Sequence, residues 1–261
     1  MKIGIGIITC NRPEFLKKLW ATIPDYIDDI AIVNDGNKID NIEGAYIINN
    51  TQKLQVGGSK NVAMKYLLNQ GCDYIFTLED DILIEDPTVF LQYIEAYKST
   101  GICHFNFGFS NLENLDASLQ PVYKKVIEYP NGTKIVLTPN VLGAFTFYTR
   151  NALMEIGLHN RIFNKGHGDH PELTYRAYKY GYTTPFWWFA DIYNSWNMIK
   201  NQSNMSSDST IRNNNFWESF NEANDAFKQL HGYKMTEVPD IGEEKVYEIL
   251  KQLKKKNGHE R

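Results

Sequence analysis

Between residues 3 and 100, short apolar runs alternate with segments of helical period, and this alternation restricts the chain more than any other feature it carries. Residues 3–8 (IGIGII), 30–36 (IAIVNDG), 45–49 (AYIIN) and 74–78 (YIFTL) read as strands. Helix signals separate them. Asn11 stands as a cap, with Pro13 in the first turn and Phe15, Leu16, Leu19 and Trp20 at helical spacing. A second helix is opened by Gly57-Gly58-Ser59 and closed by Gly71; a third has Asp86 as its cap and Pro87 in its first turn. This βαβ rhythm predicts an α/β fold, a mostly parallel sheet with helices on both faces. In such sheets ligands bind at the C-terminal ends of the strands. Thr9, Asp35 and Glu79–Asp81 all fall at such ends, so one crevice is expected to hold them.

From residue 102 the pattern changes. Residues 102–109, 121–129 and 133–148 look like further strands, with Pro130-Asn131-Gly132 as a hairpin turn. A short helix is expected over 150–156 and a longer one over 170–182, with Pro171 in its first turn and Gly181 at its end. Residues 197–215 are rich in Asn and Ser and lack periodicity. They read as a long loop, either a lid that orders on substrate or a passive surface segment. Helices near 216–230 and 242–256 close the chain, and no repeat is present.

Composition excludes several classes. A chain of 261 residues with 43% apolar and 22% charged residues can bury a sizeable core as one large or two small domains. Its net charge of −4 provides no global basic field for nucleic acid. The one basic run, Lys254-Lys255-Lys256, reads as a solvated helix end. Cys10, Cys72 and Cys103 form no CxxC pair, which argues against zinc and against a disulfide framework and for free thiols in a reducing cytoplasm. The apolar N-terminus reads as a first strand and not a signal peptide, and no run reaches a membrane span. A soluble, cytoplasmic protein is expected, with a peripheral position at a membrane left open.

Four stretches carry chemistry. Glu79-Asp80-Asp81 places three mutually repelling carboxylates at the end of a buried strand, which calls for positive charge. A hard divalent cation, Mg2+ or Mn2+, would supply it; the alternative is that Asp80 or Asp81 caps the next turn. "QVGGSKNVA" (55–63) makes an anion-friendly helix start or an ordinary glycine turn capped by serine, and it matches neither the P-loop nor GxGxxG. Asp35 offers an acceptor to a base N–H or forms an Asx-turn. His167, Asp169, His170 and Glu172 cluster at a helix start, where a carboxylate or imidazole can act as general base; otherwise they are a capped helix with surface histidines.

Taken together and in this order, the four stretches resemble the GT-A-fold, nucleotide-sugar-dependent glycosyltransferases, family 2 most closely, over residues 3–185. The resemblance implies a metal-dependent, inverting hexosyl- or N-acetylhexosaminyltransferase. Its donor would be a nucleotide diphosphate sugar, UDP-sugar favoured, and its acceptor a glycan or glycolipid. It implies that Thr9, Asn11 and Arg12 line the nucleotide, that Asp35 contacts the base, and that Gly58, Lys60 and Asn61 belong to the G-x-x-x-x-R-N-like helix start, with Lys60 in place of arginine. Glu79, Asp80 and Asp81 stand for the DXD motif, the first acid facing the ribose and Asp81 binding Mn2+ or Mg2+. Gly143 and Ala144 open the acceptor-side strand, and Glu172 to Arg176 match the E-L-x-x-R helix. Where the family has Glu-Asp before that helix, this chain has Asp169-His170. Asp169 is therefore the favoured base, with His170 as the alternative base, and with His170 or His167 as a metal or phosphate ligand otherwise. Trp187 and Trp188 follow the last matched strand, to stack on sugar or to pack the core. The implied division is a nucleotide-sugar-binding half over 1–101, an acceptor-side half over 102–196, and a mobile loop with C-terminal helices over 197–261. Three other readings compete: transfer to modified DNA or protein, a sugar-nucleotide nucleotidyltransferase, and a non-catalytic nucleotide- or sugar-binding module. The first of these is disfavoured for DNA by the net charge.

Overall fold

The computed structural model describes residues 1–163, 167–202 and 216–258. The first half contains β1 (Ile3–Thr9), α1 (Pro13–Trp20), β2 (Asp29–Asn34), β3 (Tyr46–Asn49), α2 (Gln55–Asn69), β4 (Tyr74–Glu79), β5 (Ile82–Ile84) and α3 (Val89–Thr100). There follow β6 (His104–Asn106), β7 (Lys125–Glu128), β8 (Lys134–Thr138), β9 (Phe145–Thr149), α4 (Arg150–Ile156) and α5 (Asp169–Lys179). The last elements are β10 (Phe189–Ile192), α6 (Ser195–Met198), β11 (Ile199–Asn201), α7 (Phe216–His231) and α8 (Glu243–Asn257).

Six strands form the central sheet in the order β3-β2-β1-β4-β9-β6. The four strands of the βα half run parallel, as the alternation predicts, and β9 inserts antiparallel between β4 and β6. Every residue of β1 is buried, as expected of a strand covered on both faces. Gly4 and Gly6 point to one face, where a Cβ would come within 2.7 Å of the Cys72 sulfur and 2.6 Å of the Ala63 Cβ; their lack of side chains lets α2 lie directly on the strand. The other face carries Ile3, Ile5 and Ile7 beside Phe76 and Leu78 of β4, and Phe76 packs on Phe90 and Tyr93 of α3 and on Phe145 and Phe147 of β9. Helices therefore cover both faces.

A second sheet, β10-β8-β7, is antiparallel, and the β7–β8 hairpin turns at residues 130–132, with Gly132 at φ 84°. Fully buried Asp191 of β10 ties this sheet to the rest. It accepts from Tyr93 Oη of α3, from Gly108 N at 2.9 Å and from Ser195 Oγ at 2.7 Å. Burial pushes its pKa up to about 6, against the pull of these donors.

Several local expectations are corrected by long-range partners. Asn11 does not cap α1: its Oδ1 accepts from Asn37 N. Helix α2 begins at Gln55, two residues early, and Ser59 is fully buried and takes Asn50 Nδ2 on its hydroxyl instead of capping. The cap comes from Asp35, whose carboxylate accepts from Leu54 N at 2.7 Å and Gln55 N at 2.8 Å. Helix α3 begins at Val89; Asp86 closes the preceding turn by accepting from Thr88 N and Oγ1. Residues 199–201 are not loop. They form β11, which pairs antiparallel with β5, a strand the sequence did not announce. The remainder of the expected loop, 203–215, lies outside the described residues. Among the described residues no helix is long and apolar enough to cross a membrane.

Phe76 sits where α3, β4 and β9 meet, fully buried. Phe76→Ala is expected to lower the unfolding free energy by about 3–5 kcal/mol. Urea denaturation checks this; a loss below about 1 kcal/mol would mean that this aromatic cluster does not hold the sheet to α3.

Candidate active site

The chain leaves β1 toward β2 and β3, then returns to place β4 on the other side of β1. At this switch point the C-terminal ends of β1 and β4 open into a cavity of 610 Å³. Because β9 runs antiparallel to β4, its start lies at the same end, and Glu79 N donates to Ala144 O at 2.8 Å. Thr9, Arg12, Glu79, Asp81, Gly143, Ala144, Asp169, His170 and Trp187 all line the cavity. Residues from five separate stretches of sequence thus converge there. Asn11, Asp35, Gly58, Lys60, Asn61, Asp80, Glu172 and Trp188 do not line it.

Protein cations already balance much of the acidic triplet. Lys60, with no exposed surface, donates to Glu79 Oε1 at 2.8 Å and to Gly143 O at 2.6 Å. Burial alone would raise the Glu79 pKa; the Lys60 ammonium, its hydrogen bond and the nearby His170 together hold the carboxyl below its usual range. Asp80, also fully buried, accepts from Thr9 Oγ1 at 2.6 Å and pairs with Arg12 Nη2. Burial nevertheless pushes its pKa up to about 7, further than Arg12 and Thr9 can pull it back. Arg12 Nη1 also reaches Asp81 Oδ2 at 3.1 Å. Asp81 is raised, first by burial and then by Glu79.

Opposite these acids stands the first turn of α5. Gly168 enters it at φ 81°, and Asp169 and His170 are its first residues. The Asp169 carboxylate sits at a helix N-terminus, where negative charge is favoured. It is 2% exposed, and its Oδ2 is buried without a hydrogen-bond partner, 3.5 Å from His170 Nε2. Two glycines make room for this turn. A Cβ on Gly143 would lie 1.8 Å from His170 Nε2, and one on Gly57 would lie 3.1 Å from Asp169 Oδ2. Lys60 Nζ stands 3.3 Å from His170 Nε2, so burial and this ammonium push the imidazole down to about 3 and keep it neutral.

Most of the remaining expected residues hold the frame around the cavity. Asp35 caps α2, so two N–H groups of the expected anion-binding terminus are already occupied, and Gly58 lies within the helix against Leu54. Asn61 pairs both ends of its amide with the backbone of His159 at 2.8 Å. Glu172 is 2% exposed and forms a two-point pair with Arg176; that guanidinium also holds the carbonyls of Ile156 and Leu158. Trp188 is 6% exposed, donates to Asp240 and lies under the Lys124 ammonium. Trp187, at φ 69°, is on the cavity wall while its Nε1 donates to Val238 O. His167 also lines the cavity, edge-on to Phe216 of α7.

Sequence reasoning missed His159, whose imidazole joins Asp169 and His170 with ligand atoms within 4.8 Å of one another. It also missed the polar wall of Ser110, Asn111 and Asn140, and the wall formed by Phe216 and Phe220. Nothing local marks any of them: His159 is brought in by Asn61, and the wall residues meet the cavity only through the packing of α7 and of the loops after β6 and β8.

No known sequence family and no curated protein matches the chain. Among solved structures it is similar to TarS from S. aureus (residues 1–349), at 12% identity and TM-score 0.48, over 68% of this chain and 55% of that one. It is also similar to the mannosyltransferase PcManGT from Pyrobaculum calidifontis in complex with GDP-Man and Mn2+, at 12% identity and TM-score 0.46, over 70% and 55%. The catalytic domain of Drosophila β1,4-galactosyltransferase 7 gives 10% identity and TM-score 0.48, over 100% and 82%. The matched region thus spans about half the length of the first two.

Arg12→Leu leaves Asp80 and Asp81 without their shared cation, and is expected to destabilise the fold by about 3–5 kcal/mol. In the unfolded chain Asp80 loses its proton near pH 4, as aspartates ordinarily do, whereas in the folded chain it does so only near 7. The cost of burying the ionised form therefore grows as pH rises through this range, and without Arg12 only the Thr9 hydroxyl offsets it. Urea unfolding should show a larger penalty at about pH 8 than at about pH 5. Equal penalties would show that Arg12 is not the counter-charge.

Proposed function

We propose that the chain is an inverting glycosyltransferase that moves a hexosyl or N-acetylhexosaminyl group from a nucleotide diphosphate sugar, UDP-sugar favoured, to a hydroxyl of a glycan or glycolipid. One observation carries this reading. The partnerless Oδ2 of buried Asp169 shares a cavity with Glu79, Asp81 and Arg12 at the ends of β1 and β4. A proton acceptor and a charged donor platform thus border one space.

In this reading residues 1–101 supply the donor platform and 102–196 the acceptor side, with the C-terminal elements closing the cavity. Thr9 and Arg12 border the nucleotide, and Glu79 faces the ribose. Asp35, Asn61 and Lys60 act from behind, by fixing α2 against the strand ends. The acceptor hydroxyl attacks the anomeric carbon and the bond to the diphosphate oxygen breaks, so the nucleoside diphosphate leaves with the bonding pair. Asp169 takes the hydroxyl proton on its free oxygen. A single displacement at one face inverts the anomeric centre. His170, held neutral between Gly143 and Lys60, positions Asp169; it is the alternative base.

Asp81 suits a hard cation. It lines the cavity and carries a pKa raised by burial and Glu79, and only its Oδ2 is engaged by Arg12. Asp81 would hold Mn2+ or Mg2+, which when bound neutralises charge developing on the departing diphosphate. Trp187 offers a ring on the cavity wall for a sugar.

Titration calorimetry with UDP, GDP, dTDP and CDP, with and without Mn2+, tests the donor side. One nucleotide is expected to bind in a metal-dependent manner, and Asp81→Ala to abolish that dependence. Unchanged Mn2+-dependent affinity in the variant would sink the assignment, and binding without transfer or hydrolysis of the sugar nucleotide would favour a non-catalytic module.

Asp169→Asn is expected to retain donor binding and to reduce transfer by at least about 100-fold. An active Asp169→Asn beside an inactive His170→Ala would move the base to His170.

A further inference from the structure

Ten residues before Asp169 lies His159, which the proposed reaction does not use. Asn61 of α2 clamps its main chain, and its imidazole is 4% exposed. Its Nδ1 lies 3.1 Å from the carbonyl oxygen of Asp169. A carbonyl only accepts, so Nδ1 carries the proton and the lone pair of the neutral ring sits on Nε2. That Nε2 is buried without a hydrogen-bond partner, as is Asp169 Oδ2. His170 Nε2 lies 3.5 Å from Asp169 Oδ2. Two ligands of one tetrahedral cation, bound at about 2.0–2.1 Å, stand about 3.4 Å apart. Two buried acceptors with no donor between them are a poor arrangement for a protein interior unless something positive joins them.

We infer that His159, Asp169 and His170 form a binding site for a borderline transition-metal cation, Zn2+ foremost, with a ligand set different from the oxygen ligands at Asp81. Two imidazoles and a carboxylate suit Zn2+ and do not suit Mg2+, and three protein ligands leave one position for water or substrate. The Nδ1–H bond to the Asp169 carbonyl is the kind of outer contact that orients a ligating histidine. The Lys60 ammonium, 3.3 Å from His170 Nε2, opposes a second positive charge. It keeps Glu79 and Gly143 O as acceptors when the imidazole turns to a metal, and Asp169 and Glu79 balance the added charge. This departs from the expectation against zinc, which rests on the missing CxxC pair, because none of these three ligands is a cysteine. Zn2+ here would occupy the free oxygen of Asp169 and so inhibit proton transfer; this consequence, unlike the site itself, rests on the glycosyltransferase reading.

The full chain, stripped of metal, is titrated with ZnCl2 by calorimetry near neutral pH, and the equimolar complex is examined by zinc-edge X-ray absorption. The expected result is one site per chain, with the scattering signature of two imidazole ligands. His159→Gln should weaken Zn2+ binding by at least about tenfold, and Asp81→Asn should leave it unchanged. An all-oxygen or single-imidazole spectrum, no equimolar binding, or wild-type affinity in a folded His159→Gln would overturn the site. The spectrum of the wild-type protein decides the matter even where the variant does not fold. Because no nucleotide is used, failure of UDP binding would remove the donor reading and leave the zinc result standing.

Discussion

A single ammonium group with no solvent contact organises this molecule. Lys60 reaches from α2 to the end of β4 through Glu79, to the approach of β9 through Gly143 O, and to the first turn of α5 through His170. A lysine is rarely placed so deep without partners, and a buried charge with its partner removed is among the more damaging defects a fold can carry. Its presence therefore commits three other elements to fixed positions. Arg12 does the same for Asp80 and Asp81 from the end of β1. The repulsion among the three acids is relieved by two protein cations, and the cavity keeps a net acidic wall.

Helix α2 is the common support. Its N-terminus is tied to the end of β2 by Asp35, its glycine at 57 admits Asp169, its Lys60 holds the acids, and its Asn61 fixes His159. It rests on β1 because Gly4 and Gly6 remove the side chains that would hold it off. Small residues at one interface and polar residues at the next thus serve one purpose, a short and rigid path from sheet to site.

The parts of this arrangement that could be read from sequence are those with local causes. β1 to β4, α2, α5 and the 130–132 hairpin declare themselves through apolar runs, helical period, Pro171 and the Pro-Asn-Gly turn. The acid triplet was legible as a charge problem, because its cost follows from three neighbouring residues alone. Its solution was not, because Arg12 is 69 residues from Asp81 and Lys60 is 19 from Glu79. Asp35 is legible as a strand-end acid, yet its partners are the Asn50 amide and the main-chain N–H groups of Leu54 and Gln55, at a helix entry two residues before the one the glycines suggest. His159 had no signal at all. Its neighbourhood is created by Asn61, 98 residues away, and by a carbonyl that belongs to every residue type alike.

The pairing of β11 with β5 places residue 202 over the acidic turn. Gln202 N donates to Asp81 O, and its side-chain amide donates to the carbonyls of Asp80 and Ile82. During synthesis the acids emerge about 120 residues before the group that completes their turn. At roughly 5–20 residues per second, a nascent chain waits on the order of 6–24 s in that state. Through that interval the parallel strands can associate while the carbonyls of the turn stay open to water. In chain order residue 202 is thus the last contributor to the acidic turn, and a nascent chain that ends before it lacks all three of these contacts.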